Sequence, residues 1–147
     1  VAAWVSLDSL TGSRTVISQS GTVRHRFFIE YDAASSRLRA VMVGGDTPNA
    51  PLAEVRSLAV PAVETWTHVG AVYDAKVNKL RFFVDGEPQG EGVSVVGSLW
   101  PGVGPTRIGC TGLSGGARSN YLGGIVDDVR VWSSTVDPDL FGTFAHS

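Results

Sequence analysis

Apolar and polar residues alternate along most of the chain, and no apolar stripe recurs at helical spacing for three turns. A period of two is what a strand shows when one face is buried and the other is wet. The alternation predicts strands over Ala2–Leu7, Arg14–Ser20, Arg26–Tyr31, Arg37–Val43, Ala53–Ala59, Thr65–Asp74, Lys79–Asp85, Thr106–Cys110 and Gly124–Trp132. Gly (18 residues) and Pro (7 residues) separate these runs, so the breaks are turns rather than helices. One turn falls at Asp32–Ser36 and another at Asp85-Gly86, a dipeptide that tolerates the positive φ of a tight hairpin. A single helix-like piece, Asp137-Pro138-Asp139-Leu140-Phe141, has Asp137 placed to cap and Pro138 at the first helical position, enough for one turn. Many strands and almost no helix imply an all-β fold, two antiparallel sheets packed face to face as a single domain over residues 1–147.

Composition narrows the function classes. Apolar residues make up 43% and charged residues 18%, which excludes a disordered chain, and 147 residues suffice for one real core. A net charge of −2 argues against a nucleic-acid partner, which would call for a basic field. No apolar run approaches the roughly 18 residues that insert into a membrane. No charged-then-apolar leader opens the chain, as expected of a mature or excised fragment. Cys110 is alone, so no internal disulfide forms, and it reads as a small half-buried hydrophobe.

Two segments carry more than composition does. Trp66-Thr67-His68-Val69-Gly70-Ala71-Val72-Tyr73-Asp74 is followed by Leu80-Arg81-Phe82-Phe83-Val84-Asp85-Gly86-Glu87-Pro88, and together they resemble the central hairpin of laminin-G-like domains. Gly124-Ile125-Val126-Asp127-Asp128-Val129-Arg130-Val131-Trp132 resembles that family's closing strand, and the Asp137-Pro138-Asp139 turn follows it there and in pentraxins. Ala3-Trp4-Val5, then Val16-Ile17-Ser18-Gln19 and Gly21, fits the early strands, so the similarity runs over nearly the whole chain. The resemblance implies a concanavalin A-like jelly roll, two curved antiparallel sheets, in a mostly non-catalytic binding module of secreted or cell-surface proteins. It also implies a strand before Ala-Trp-Val, often with Asp-Gly, where this chain simply begins. A lost strand, a swapped strand or a partner protein completing the sheet are the alternatives, since a bare edge is a liability.

Enzyme chemistry finds little support. Fold-related glucanases carry Glu-x-Asp-x-x-Glu on one strand, and that motif is absent. Asp127 and Asp128 are adjacent, so on a strand they face opposite ways and do not flank one bond. No Gly-x-Ser-x-Gly elbow occurs, and His25, His68 and His146 lack metal spacing. His68 is expected as a core or edge histidine with a backbone partner, sharing a face with Trp66 and Gly70, and His25 at a solvated rim. Related modules often bind calcium. The pentraxin-like loop, Thr111–Arg118, has no carboxylate, which leaves Asp127 as the candidate ligand for a structural calcium ion.

Glycan binding needs flat apolar faces for sugar C–H surfaces and polar groups for hydroxyls. Trp4, Trp66 and Trp132 sit in family-like strands and read as core, whereas Trp100 lies in the Gly/Pro-rich loop Gly97–Pro105. Trp100 and Tyr121 are therefore the candidate platforms, either of them also able to lid the core. Arg118, Asn120, Asp46 and Asn49, from the loops Thr111–Asn120 and Gly44–Pro51, are candidate hydrogen-bonding residues. The expected function is glycan recognition that targets a larger secreted protein. A protein-protein adhesion module whose sheet a partner strand completes is the alternative.

Overall fold

A computed structural model describes residues 1–97, 99–113 and 115–146. Ser98 and Ser114, within two of the predicted loops, lie outside the described residues. The first strands are β1 (Ala2–Leu7), β2 (Arg14–Ser20), β3 (His25–Asp32), β4 (Arg37–Val43) and β5 (Leu52–Arg56). They are followed by β6 (Thr67–Asp74), β7 (Lys79–Val84), β8 (Glu87–Pro88) and β9 (Val93–Ser94). Then come β10 (Thr106–Ile108), β11 (Thr111–Gly112), β12 (Arg118–Ser119), β13 (Gly124–Arg130) and the helix α1 (Asp139–Ala145).

Two antiparallel sheets carry the fold. The first runs β13-β1-β6-β7-β8, with β9 also pairing β7, and the second runs β10-β2-β3-β4-β5. The opening strand β1 is thus inside its sheet, flanked by β13 and β6, rather than at an edge. Ala3, Val5 and Leu7 of β1, Ile29 and Tyr31 of β3, and Leu38 and Ala40 of β4 meet Val69, Leu80 and Phe82 between the sheets. Each of the larger side chains removed from water there stabilises the fold by about 1.5–3 kcal/mol. At one end the sheets part around a cleft of about 690 Å³ walled by Phe27, Ile29, Met42, Tyr73, Leu80 and Trp132.

Several predicted ends move. β5 stops at Arg56: Ser57 still donates its N–H to Leu38 O at 2.7 Å, but its hydroxyl turns to Ala59 O at 2.7 Å and the Leu58 N–H goes to Gln89 Oε1 at 2.8 Å instead of to β4. Trp66 precedes β6 and is 46% exposed, so it is not a core residue, and it does not share the burial of His68. His68 is buried as expected, yet its Nδ1 has no partner. It is the His68 backbone N–H that is held, by Asp85 Oδ1 at 2.8 Å.

The terminal helix is longer than the single turn the sequence suggests. Pro138 is the cap residue rather than the first helical one, and Asp137, one residue before it, accepts the Asp139 N–H on its Oδ1 at 3.0 Å. A second turn forms because Phe141 and Phe144, three apart, fall on one helix face and both find partners. Phe141 is fully buried against Phe83, ring centroids 4.8 Å apart, and sits directly over Gly70, where a Cβ would come within 2.7 Å of its ring. Phe144 stacks on Trp132 at 5.8 Å with the Arg130 guanidinium over its ring. Tertiary packing thus holds a seven-residue helix that would be marginal alone.

Candidate binding groove

The outer face of the second sheet is built by cross-strand register. Ser18 pairs Phe28, Phe28 pairs Val41, and Val41 pairs Glu54, so these four side chains form one row. Glu30 and Arg39 form the next row together with Arg56. Two segments fold over this face. Over β2 lies the β11–β12 hairpin: the Ser18 hydroxyl donates to Cys110 O at 2.8 Å and the Ser20 hydroxyl to Gly112 O. On the other side the loop over residues 44–51 lays Ala50 against Val41 and Val43. Phe28 is left half-buried between these walls, as the floor of a groove.

One stretch of the groove floor is an ion-pair lattice. Arg39 reaches Glu30 Oε1 and Glu54 Oε2, each at 2.6 Å, with Asp32 Oδ1 at 3.8 Å, and its guanidinium lies 5.6 Å from the Phe28 ring centre. Glu54 is paired again by Arg56. Burial pushes the Glu30 carboxyl up, more than Arg39 pulls it down. Burial also opposes the charge of Asp32, but the Ser35 hydroxyl and Arg39 outweigh it and hold that carboxyl below its usual range. This cluster is missing from the sequence reading, which weighed only Asp127 and Asp128. Its signal was there: Glu30 and Asp32 are two apart on one strand, and so share a face. A retaining hydrolase needs about 5–5.5 Å of open space between two carboxyl groups for the sugar bond. Here the Arg39 guanidinium stands between Glu30 and Glu54 and ties up both.

The other stretch is basic. Arg107, on β10, donates from Nη1 to the Ser20 hydroxyl and to Gly112 O, the latter at 2.9 Å. His25 packs edge-on against Phe28 with ring centroids 6.1 Å apart. His25, expected at a solvated or rim position, stands half-buried at the start of β3, and its Nε2 is buried without a partner. Burial, then the charges of Arg107 and Arg24, hold the imidazole below its ordinary pKa.

Two of the sequence-predicted residues, Trp100 and Asp46, meet at the β2–β3 turn. Trp100 donates its indole N–H to Val43 O at 2.8 Å and lays its ring on Gly21, so close that a Cβ there would lie 2.5 Å from it. Asp46 accepts the N–H groups of Thr22, Val23 and Arg24 at 2.9, 2.8 and 2.8 Å. These bonds, with the one from Thr22 foremost, hold its carboxyl below the usual range. Asn49 is exposed on the same loop, where Arg24 donates to Pro48 O at 2.9 Å. Arg118 is exposed on the hairpin wall, in register with Gly112.

Asn120 and Tyr121 are not part of that group. Asn120 O accepts the Thr15 N–H at 2.9 Å, near the far end of β2, roughly 15 Å of extended chain from Ser20. Tyr121 follows it, 60% exposed. Asp127 stands apart on the edge strand β13, its Oδ1 accepting the Asp128 N–H at 2.8 Å. Among the described residues no three His, Cys, Asp or Glu side chains converge as a metal group, and no helix is long and apolar enough to cross a membrane.

Comparison with known proteins places this geometry. No curated protein sequence is significantly similar to the chain. Among solved structures, a heptameric SAP-like pentraxin from Limulus polyphemus superposes with a TM-score of 0.75 at 16% identity, over 98% of this chain and 67% of its own. The carbohydrate-binding module (CBM40) of the Ruminococcus gnavus IT-sialidase gives 0.76 at 16% identity, over 98% and 80%. A leech intramolecular trans-sialidase gives 0.77 at 18% identity over 97% of this chain, which spans only 22% of that enzyme. At these identities the likeness is one of fold. The sequence profile of the concanavalin A-like lectin/glucanases superfamily matches residues 1–139, and the chain belongs to that superfamily.

Proposed function

We propose that the domain is a non-catalytic carbohydrate-binding module that anchors a larger extracellular protein to a glycan. The observation that carries this reading is the half-buried Phe28 ring, set between two walls with the Arg39 guanidinium 5.6 Å over it and fixed hydrogen-bonding groups beside it. A ring face accepts sugar C–H surfaces, and neighbouring polar groups orient the hydroxyls. In this reading Arg118 on one wall and Asn49 on the other contact hydroxyls. Trp100 and Asp46 hold the walls in place. The Arg39 lattice supports the non-catalytic part, because its carboxylates are spent on a guanidinium.

A glycan array on the wild-type chain and on Phe28→Ala tests it. The wild type should retain a defined set of glycans, and the variant should lose roughly tenfold in affinity for them, the loss of one good aromatic contact. Phe28→Ala with unchanged affinity would remove the groove from the account. A second reading, a protein-protein module, draws on the cleft between the sheets, whose Phe27, Ile29, Met42 and Leu80 lining suits an apolar polypeptide segment better than a sugar. Capture of a polypeptide alongside no retained glycan would favour it.

A further inference from the structure

Two arginines of the groove, Arg39 and Arg107, are treated differently. Arg39 is neutralised by Glu30 and Glu54, with Asp32 close by, and the exposed Arg56 and the half-buried Arg130 are paired with Glu54 and Asp128. Arg107 is half-buried on the same face, yet among the described residues no carboxylate pairs with it. Both of its partners, the Ser20 hydroxyl and the Gly112 carbonyl, are neutral, and both are reached through Nη1. Its Nε and Nη2 donors have no partner among the described residues. Those tethers orient a planar fork in advance, which lowers the entropy cost of gripping a planar anion.

Next to it, His25 leaves a buried Nε2 without a partner, which costs free energy unless something fills the role. Arg24 and Arg107 are the charges acting on that imidazole, while Asp46, from the loop over residues 44–51, stays ionised and turns its carboxylate to three backbone N–H groups of the turn. Two guanidinium charges therefore act on one imidazole in a chain whose net charge is −2.

We propose that the groove reads an anionic sugar, one bearing a carboxylate or a sulfate, with Arg107 as the residue that holds the anion and His25 as a second donor. The inference rests on the reading of the groove as a saccharide site and names its ligand class. The sugar ring lies beside Phe28 while its acidic group meets the free donors of Arg107 between the β2–β3 turn and the β11–β12 hairpin.

The test measures binding of three matched trisaccharides, neutral galactotriose, its galacturonic acid counterpart and its 6-sulfated form. A glycan array holding neutral and acidic glycans accompanies it. The expected result is that one or both acidic trisaccharides bind at least about tenfold more tightly than galactotriose, and which of them does so separates carboxylate from sulfate. Arg107→Gln should cost roughly tenfold to a hundredfold for the acidic sugar, the range of a charge-assisted pair, and leave neutral binding unchanged. Arg107→Lys, which keeps the charge but not the fork, should fall between, with melting curves confirming that both variants fold.

NMR of the His25 imidazole supplies a readout that a purely structural role would not move. Its pKa should rise when the acidic trisaccharide binds and stay put with galactotriose. Equal affinity for neutral and acidic sugars, or an Arg107→Gln protein that binds the acidic sugar normally, overturns the inference. If the array retains neutral glycans alone, the inference fails and the module reading stands. If it retains none, the module reading fails as well.

Discussion

The sandwich has two outer faces, and they are finished in opposite ways. On the first sheet, Ala2, His68, Gly70 and Phe83 present an apolar surface, and α1 seals it with Phe141 while Trp132 and Phe144 close the side. On the second sheet the corresponding face carries Glu30, Asp32, Arg39, Glu54 and Phe28, and only its flanks are covered. The strands on both sides obey the same alternation. The difference teaches that burial of an outer face is decided by what the chain lays over it afterwards. A sheet face rich in paired charges needs cover only at its flanks, because its buried carboxylates are paired with a guanidinium, whereas one bearing Phe83 is covered outright.

That contrast is broken most severely from the sealed side. Phe141→Ala should destabilise the domain by about 3–5 kcal/mol, the cost of a buried aromatic truncated to a cavity, seen as a lower urea midpoint. Glycan binding by the folded fraction should survive. The next largest effect comes from the open side. Arg39→Met leaves Glu30, Asp32 and Glu54 without their shared cation and should cost about 2–3 kcal/mol. Because buried carboxylates then repel one another, that loss should shrink as the pH is lowered enough to protonate Glu30, whose carboxyl is already pushed up by burial.

Smaller effects sharpen the comparison. Trp100→Phe keeps most of the ring against Gly21 but deletes the bond to Val43 O. It should cost about 1 kcal/mol, read in the same urea titration. The mildest change is a pH response shared by one histidine from each face. His25 and His68 both titrate below the ordinary value of 6.5 in the folded protein; for His68 burial outweighs the opposing pull of Asp85. Above pH 6.5 both are neutral whether folded or not. As the pH falls below that, the unfolded chain takes up the protons first, so stability declines until the folded-state values are passed. Urea midpoints should drop modestly between pH 7.5 and pH 5.5, and His68→Gln should flatten part of that slope. A midpoint that rises over this range would mean that both histidines are stabilised in their charged forms.

Much of the fold was legible because a strand needs only local information. β1, β2 and β4 begin and end where the alternation does. The longer helix was not, since Gly142 is a poor helix former and Phe144 has no local reason to be helical until Trp132 lies beside it. Trp66 reads as core by its place in a family-like strand, but β6 begins one residue later and Trp66 faces water. For the site, Trp100 and Asp46 were visible as loop residues without a periodic role, and the structure brings both to one turn. Phe28, Arg107 and His25 were not distinguishable from other strand residues.

The sequence by itself determined the period-two pattern, the turns, the lack of a helical core and thus the all-β class, because those depend on which neighbours along the chain are apolar. Only the tertiary structure decided which charges cancel. Arg39 on β4 and Arg107 on β10 are the same residue on one sheet face, with β2 and β3 between them, and tertiary placement sets three carboxylates against the first and a hydroxyl and a carbonyl against the second. Pairing acts across space between residues far apart in the chain, and Coulomb energy at contact distance greatly exceeds anything local composition encodes.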